Sequence, residues 1–151
     1  MGEAIRWPVK TREILDAYFD STRWNDFQFR NGDVVVATFP HVGTTWTLEI
    51  VRQLIHDAPP ETNPWSIAPW LDLRINRFKA IMDVLERQTH RRSIKTHLPL
   101  DAIVLSPKAR YIVVGRDARD MVWSIYRHQE LYNDRDLALF NGPPGRPGRF
   151  V

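Results

Sequence analysis

Apolar positions fall into two rhythms along this chain. Asp33 to Phe39 (DVVVATF) is a short run, nearly all apolar and β-branched. A strand buried on both faces of a parallel sheet reads this way. Pro40 ends it. From Gly43 to His56 the rhythm changes, with Trp46, Ile50, Val51 and Leu54 at helical spacing. The first unit is therefore strand, tight loop, helix. Leu71 to Gln88 predicts a second helix. Arg92 to Thr96 (RSIKT) and Ala109 to Gly115 (ARYIVVG) predict two further strands. Asp117 to Leu131 predicts a third long helix, with Asp117 and Asp120 where negative charge favours a helix start. Strands alternating with helices predict an α/β layered fold, a central mainly parallel sheet flanked by helices.

Three stretches lie outside that alternation. In the lead-in, Thr11 is expected to cap a short helix over Arg12 to Phe19, with Ile14, Leu15, Tyr18 and Phe19 on one face. Pro59 to Trp70 carries four prolines and predicts a long surface loop rather than a regular helix. Asn141 to Val151 (NGPPGRPGRFV) reads as a linker-like tail, which divides the chain into a domain over 1–140 and a tail over 141–151.

Length and composition narrow the function. A chain of 151 residues is one domain's worth of sequence. The absence of cysteine excludes disulfides, Cys-type zinc sites and thiol catalysis. A net charge of +3 suits an anionic ligand and is too small to argue for nucleic acid. The apolar runs are too short to span a bilayer, and MGEAIRWPVK has no signal-peptide core. A soluble cytoplasmic protein is expected, with neither a nucleic acid nor a membrane as partner.

Three segments carry candidate chemistry. The first is Phe39-Pro-His-Val-Gly-Thr-Thr-Trp46, a strand running through a glycine loop into a helix. Helix N-termini present unpaired N–H groups and a positive dipole end to anions. Gly43 permits close backbone approach, Thr44 and Thr45 add hydroxyls, and Trp46 is either a stacking face for a base or a core residue. The GxxxxGK[ST] spacing of the common nucleotide-triphosphate loop is absent. The second segment is Ile94-Lys95-Thr96-His97-Leu98-Pro99. Lys95 and His97 share a face at a predicted strand end, where ligands of parallel sheets bind. A His there suits general-base work, and a Lys beside it suits a transferring anionic group. The third runs from Val113 to Ser124, with Arg116 at a strand end and Ser124 two helical turns on. The planar fork of Arg suits phosphate. Arg119, Arg91 and Arg92 read as solvated charges. Trp65, Trp70 and Phe78 are either an apolar pocket lining or core.

In this order, the three segments resemble the cytosolic sulfotransferase family, which uses 3′-phosphoadenosine 5′-phosphosulfate (PAPS). The family pattern Pro-Lys-Ser-Gly-Thr-Thr-Trp matches at Pro40, Gly43, Thr44, Thr45 and Trp46. Lys-Thr-His-Leu-Pro matches Lys95 to Pro99 without a change, and an Arg followed eight residues later by Ser matches Arg116 and Ser124. The resemblance runs from near Phe27 to about Tyr132. It implies a three-layer P-loop-like fold, with the Gly43–Trp46 loop (Gly43, Thr44, Thr45, Trp46) on the 5′-phosphate and Trp46 on adenine; His41 and Val42 stand at the family's Lys and Ser positions of the same cofactor loop, and a protonated His41 would take part of that Lys's catalytic work on the leaving phosphate oxygen. It further implies Arg116 and Ser124 on the 3′-phosphate, His97 as the base and Lys95 on the sulfuryl group. The co-substrate would be PAPS, the product its bisphosphate PAP, the acceptor a hydroxyl or amine of a small molecule, and no metal is required.

Two departures stand out. The family's loop Lys is His41 here and its Ser is Val42, which predicts reduced or altered turnover. The family's C-terminal half, with its Arg-Lys-Gly segment, has no counterpart in the chain. The alternative to an active enzyme is therefore a truncated or impaired remnant that binds the nucleotide without efficient turnover. The surface left open predicts self-association as a homo-oligomer.

Overall fold

The β-branched run after Asp33 forms a strand at the centre of the molecule. The computed structural model describes residues 7–56, 62–89 and 91–132. Among them, β1 (Val34–Thr38), β2 (Ser93–Thr96) and β3 (Arg110–Val114) form a parallel sheet in the order β2-β1-β3. Every residue of β1 is buried, because strands cover both its edges and side chains cover both its faces. On one face Val34 and Val36 pack with Leu48, Val51 and Ala68. On the other, Val35 and Ala37 join Trp24, Phe27, Leu71, Ile81, Leu85 and Ile94.

The first of these layers comes from α1 (Thr44–Val51), which continues as a π-helical turn over Arg52–His56, and from α2 (Pro64–Ile67). The second comes from α3 (Phe78–Arg87) and the lead-in. The last helix, α4 (Ala118–Gln129), follows β3 and buries none of its residues. Its start is as expected: the Asp117 side chain accepts from the Arg119 backbone N–H at 2.9 Å. The three-layer α/β expectation therefore holds.

Four local expectations are corrected. No helix forms over Arg12 to Phe19. The Asp16 carboxylate instead accepts from the backbone N–H groups of Tyr18 and Phe19, a local competitor of helix hydrogen bonds. A single 3₁₀ turn follows at Ser21–Trp24. The second helix begins at Phe78 rather than Leu71, because residues 69–74 spend their backbone groups elsewhere. Lys95 N–H donates to Pro69, Leu71 N–H donates to Lys95, and Arg74 N–H donates to Tyr18. The proline-rich loop does contain one helical turn, α2. Pro64 occupies its first position, where proline is tolerated, and Asn63 accepts from Trp65 N–H at 2.9 Å. Finally, Arg92 is not a solvated charge. It is 2% exposed and forms a two-pronged ion pair with buried Asp33 at 2.6 and 2.9 Å. The 141–151 tail lies outside the described residues.

Candidate active site

The chain leaves β1 on one side to reach β2 and returns across β1 to reach β3. β1 is therefore the switch point of the sheet, and the crevice at its carboxyl end is where ligands of such sheets bind. All three motif segments meet there. Thr38, the last residue of β1, ties two of them together. Its hydroxyl lies 2.7 Å from that of Thr44, and its carbonyl accepts from His97 Nδ1 at 2.7 Å.

The loop after β1 has two left-handed residues, His41 at φ 63° and Gly43 at φ 113°. Only glycine adopts the second freely, which explains Gly43. A Cβ there would have room, with Val114 Cγ1 at 4.0 Å, so conformation rather than space is the constraint. Gly43, the N-cap of α1, has no side chain to cap the helix's first turn, whose leading amides lack intrahelical partners. Val42 is buried beneath the loop. Thr44 is buried and spends its hydroxyl on Thr38, whereas Thr45 is exposed. Trp46 is 80% exposed, which excludes the core alternative for it.

Arg116 and Ser124 converge on this loop from β3 and α4. Arg116 donates to the His41 carbonyl at 3.2 Å, and Ser124 Oγ lies 3.2 Å from His41 Nδ1. His128, one turn beyond Ser124, stacks edgewise on His41 with ring centroids 4.9 Å apart. Burial lowers the His41 pKa, and the nearby His128, Arg116 and Lys95 lower it further. The donor set and that cationic field both suit an anion.

The other wall is drier. His97 donates from Nδ1, because a carbonyl only accepts, so the lone pair of the neutral ring sits on Nε2. Burial, then Lys95, pulls its pKa down to about 4. Lys95 is 1% exposed, with Nζ 3.7 Å from the Trp65 ring centre and 3.9 Å from that of Trp70. Burial takes its pKa to about 7 against the pull of Asp72. Trp70 also meets the His97 ring at 4.5 Å and 86°. The shared face expected for Lys95 and His97 is thus the Trp70 side. Trp65 and Trp70 serve as walls of the site around Lys95, while Phe78 packs on the core of the opposite sheet face.

Three contributors escaped the sequence reading. Thr38 was legible only as a strand end. His128 lies at helical spacing from Ser124. Asp72 is a lone acid inside the apolar run Trp70-Leu-Asp-Leu73.

A parallel three-stranded sheet with a glycine loop at its switch point, His97 and Lys95 on one side and Arg116 and Ser124 on the other, defines an α/β fold of the P-loop-like kind. The sulfotransferase domain model matches residues 31–141, and the chain belongs to that family. It is 41% identical over 118 residues to a glycolipid sulfotransferase of Mycobacterium tuberculosis (strain ATCC 25177 / H37Ra), covering 77% of this chain and 36% of that protein. It is 32% identical over 134 residues to sulfotransferase 2B1 of Mus musculus, covering 84% and 36%. With sulfotransferase 1B1 of the same species it shares 33% over 119 residues, covering 74% and 40%. The chain thus spans less than half the length of these relatives. Among the described residues no group of side chains could hold a metal ion, and no helix is long and apolar enough to cross a membrane.

Proposed function

We propose that this chain carries the transfer centre of a sulfotransferase that moves a sulfuryl group from PAPS to a hydroxyl or amine of a small-molecule acceptor. The observation that carries the reading is the convergence of His97, Lys95, the 41–46 loop, Arg116 and Ser124 at the carboxyl end of β1. PAPS supplies an activated sulfuryl group, and its bisphosphate PAP is the product. The leading amides of α1, with Gly43, Thr45 and His41, bind the 5′-phosphate. Arg116 and Ser124 bind the 3′-phosphate, and exposed Trp46 offers its face to adenine. His97 Nε2 takes the acceptor proton as the acceptor oxygen or nitrogen bonds to sulfur and the sulfur–phosphate oxygen bond breaks. Lys95 stabilises the negative charge on the sulfuryl oxygens, the type of electrostatic help expected of a dry, preorganised site.

One observation favours a second reading, nucleotide binding without efficient turnover. His41 stands where the family pattern has Lys, and its lowered pKa makes it a poor cation at neutral pH. Calorimetric titration of PAP into the wild-type chain and Arg116→Ala tests the shared part of both readings. Saturable binding weakened about 10- to 100-fold in the variant is expected, the scale of a charge-assisted hydrogen bond. A folded chain that binds no bisphosphate overturns both. Turnover of PAPS then separates them: measurable transfer supports the enzyme, and binding alone supports the remnant.

A further inference from the structure

Asp72 is used by neither the motif pattern nor the transfer reading. It is fully buried, and three side chains donate to its carboxylate. The Trp70 indole N–H reaches Oδ1 at 2.6 Å, the Trp24 indole N–H reaches Oδ2 at 2.8 Å, and the Thr96 hydroxyl reaches Oδ2 at 2.5 Å. An indole N–H donates and never accepts, so two of these three partners demand an acceptor. A carboxylate offers one oxygen to each. Burial raises the Asp72 pKa to about 6, while the three donors and Lys95 pull it down.

Trp70 connects this buried acid to the site. Its N–H edge is held by Asp72, its face lies 3.9 Å from Lys95 Nζ, and its ring meets His97 at 4.5 Å. Pinning the N–H of a planar indole fixes the plane of the ring. We propose that Asp72 is a positioning residue for Lys95 and His97, acting through Trp70, whose ring it locks in the orientation that confines the ammonium and abuts the imidazole. Charge acts in the same direction. An anion at the N–H edge polarises the indole and strengthens its attraction for a cation on its face. Asp72 also attracts the Lys95 charge through space. The roles of Lys95 and His97 in transfer rest on the reading above, but the contact network does not.

The test is the pH dependence of Lys95 acylation by acetic anhydride in the full chain, read by peptide mass spectrometry. His97 and His41 are the other titratable neighbours that feel Lys95, and both have lowered pKa values. Asp72→Asn removes the anion and sets an amide N–H₂ against an indole N–H. The Lys95 midpoint is expected to fall by about one pH unit, the lower end of what a nearby opposite charge does. Trp70→Phe keeps the anion and cuts the tether. The midpoint is expected to rise, because a loosened ring admits water to the ammonium. Opposite shifts support positioning. Wild-type curves in both variants, with folding verified by circular dichroism, overturn it. If Asp72→Asn does not fold, Trp70→Phe decides alone. Unshifted curves with intact turnover remove only the positioning role. Shifted curves in a chain without turnover remove only the transfer reading.

Discussion

β2 and β3 flank the same central strand, parallel to it and in register with it, yet the two flanks are built differently. Every residue of β2 is buried; Arg92 just before it pairs with Asp33, Thr96 donates to the Asp72 carboxylate, and Lys95 lies against Trp65 and Trp70. β3 leaves Val113 63% exposed. The helix after it leaves Val122, Trp123 and Tyr126 more than half exposed. On the β2 side Lys95 and His97 are desolvated and held by neighbouring groups. On the β3 side Arg116 and Ser124 are held to the loop through His41. The difference gives one flank buried, paired polar groups and the other an open, solvent-facing surface; under the proposed transfer reading, proton chemistry belongs to the first and ligand dependence to the second.

The largest expected effect is on the dry flank. His97→Gln is expected to lower turnover by about 10²- to 10⁴-fold, the usual contribution of a positioned general base, while PAP affinity stays at the wild-type value. Parallel loss of both in a folded variant would mean that His97 builds the nucleotide site instead. The pH profile sharpens the point. His97 must be neutral and Lys95 cationic, so kcat/KM should rise with pH through about 4 and fall through about 7. A single limb near pH 6.5 would contradict the desolvated flank. Stability carries the same signature. The His97 pKa is lower folded than unfolded, so its contribution is complete above about pH 6.5 and is lost as pH falls toward 4. Asp72, raised to about 6, acts with the opposite sign over much of that window. The difference between wild type and His97→Gln, measured by urea denaturation, isolates the histidine.

Next in size is the buried ion pair. Arg92→Met leaves the Asp33 carboxylate without its two-pronged partner among buried neighbours. The expected cost is about 3–5 kcal/mol in urea denaturation, the scale for breaking one side of a buried pair. Arg116→Ala, on the open flank, should leave the unfolding midpoint nearly unchanged. Equal costs at the two positions would erase the distinction between the flanks.

The sequence carried the strands to within a residue or two, because runs such as Val34-Val-Val-Ala-Thr38 have few alternatives to a buried parallel strand. It also carried the convergence of the site, because each motif sits at a strand end and parallel strands bring those ends together. What it did not carry depends on distant partners. Arg92 meets Asp33 across 59 positions, and Trp24 meets Asp72 across 48. Nothing local distinguishes Arg92 from Arg91 beside it. The expected helix at Arg12 to Phe19 fails for a nearer reason: Asp16 makes its own turn, and apolar spacing does not register that competition.

The smallest expected effect sits on the open flank and tests its geometry. Arg116 and Arg119 are three residues apart, have the same charge and flank the same helix start. Arg116 reaches the loop, whereas Arg119 is 92% exposed and pairs with Asp117. If the flank acted only as a diffuse positive field, neutralising either residue would weaken PAP binding alike, and both effects would fade together with added salt. If the site is built from directed contacts, Arg119→Ala should leave PAP affinity and its salt dependence indistinguishable from wild type, while Arg116→Ala loses most of its binding at every salt concentration. Calorimetry of both variants across an ionic-strength series distinguishes the two. A matched loss in both would reduce Arg116 from a phosphate ligand to one charge among several.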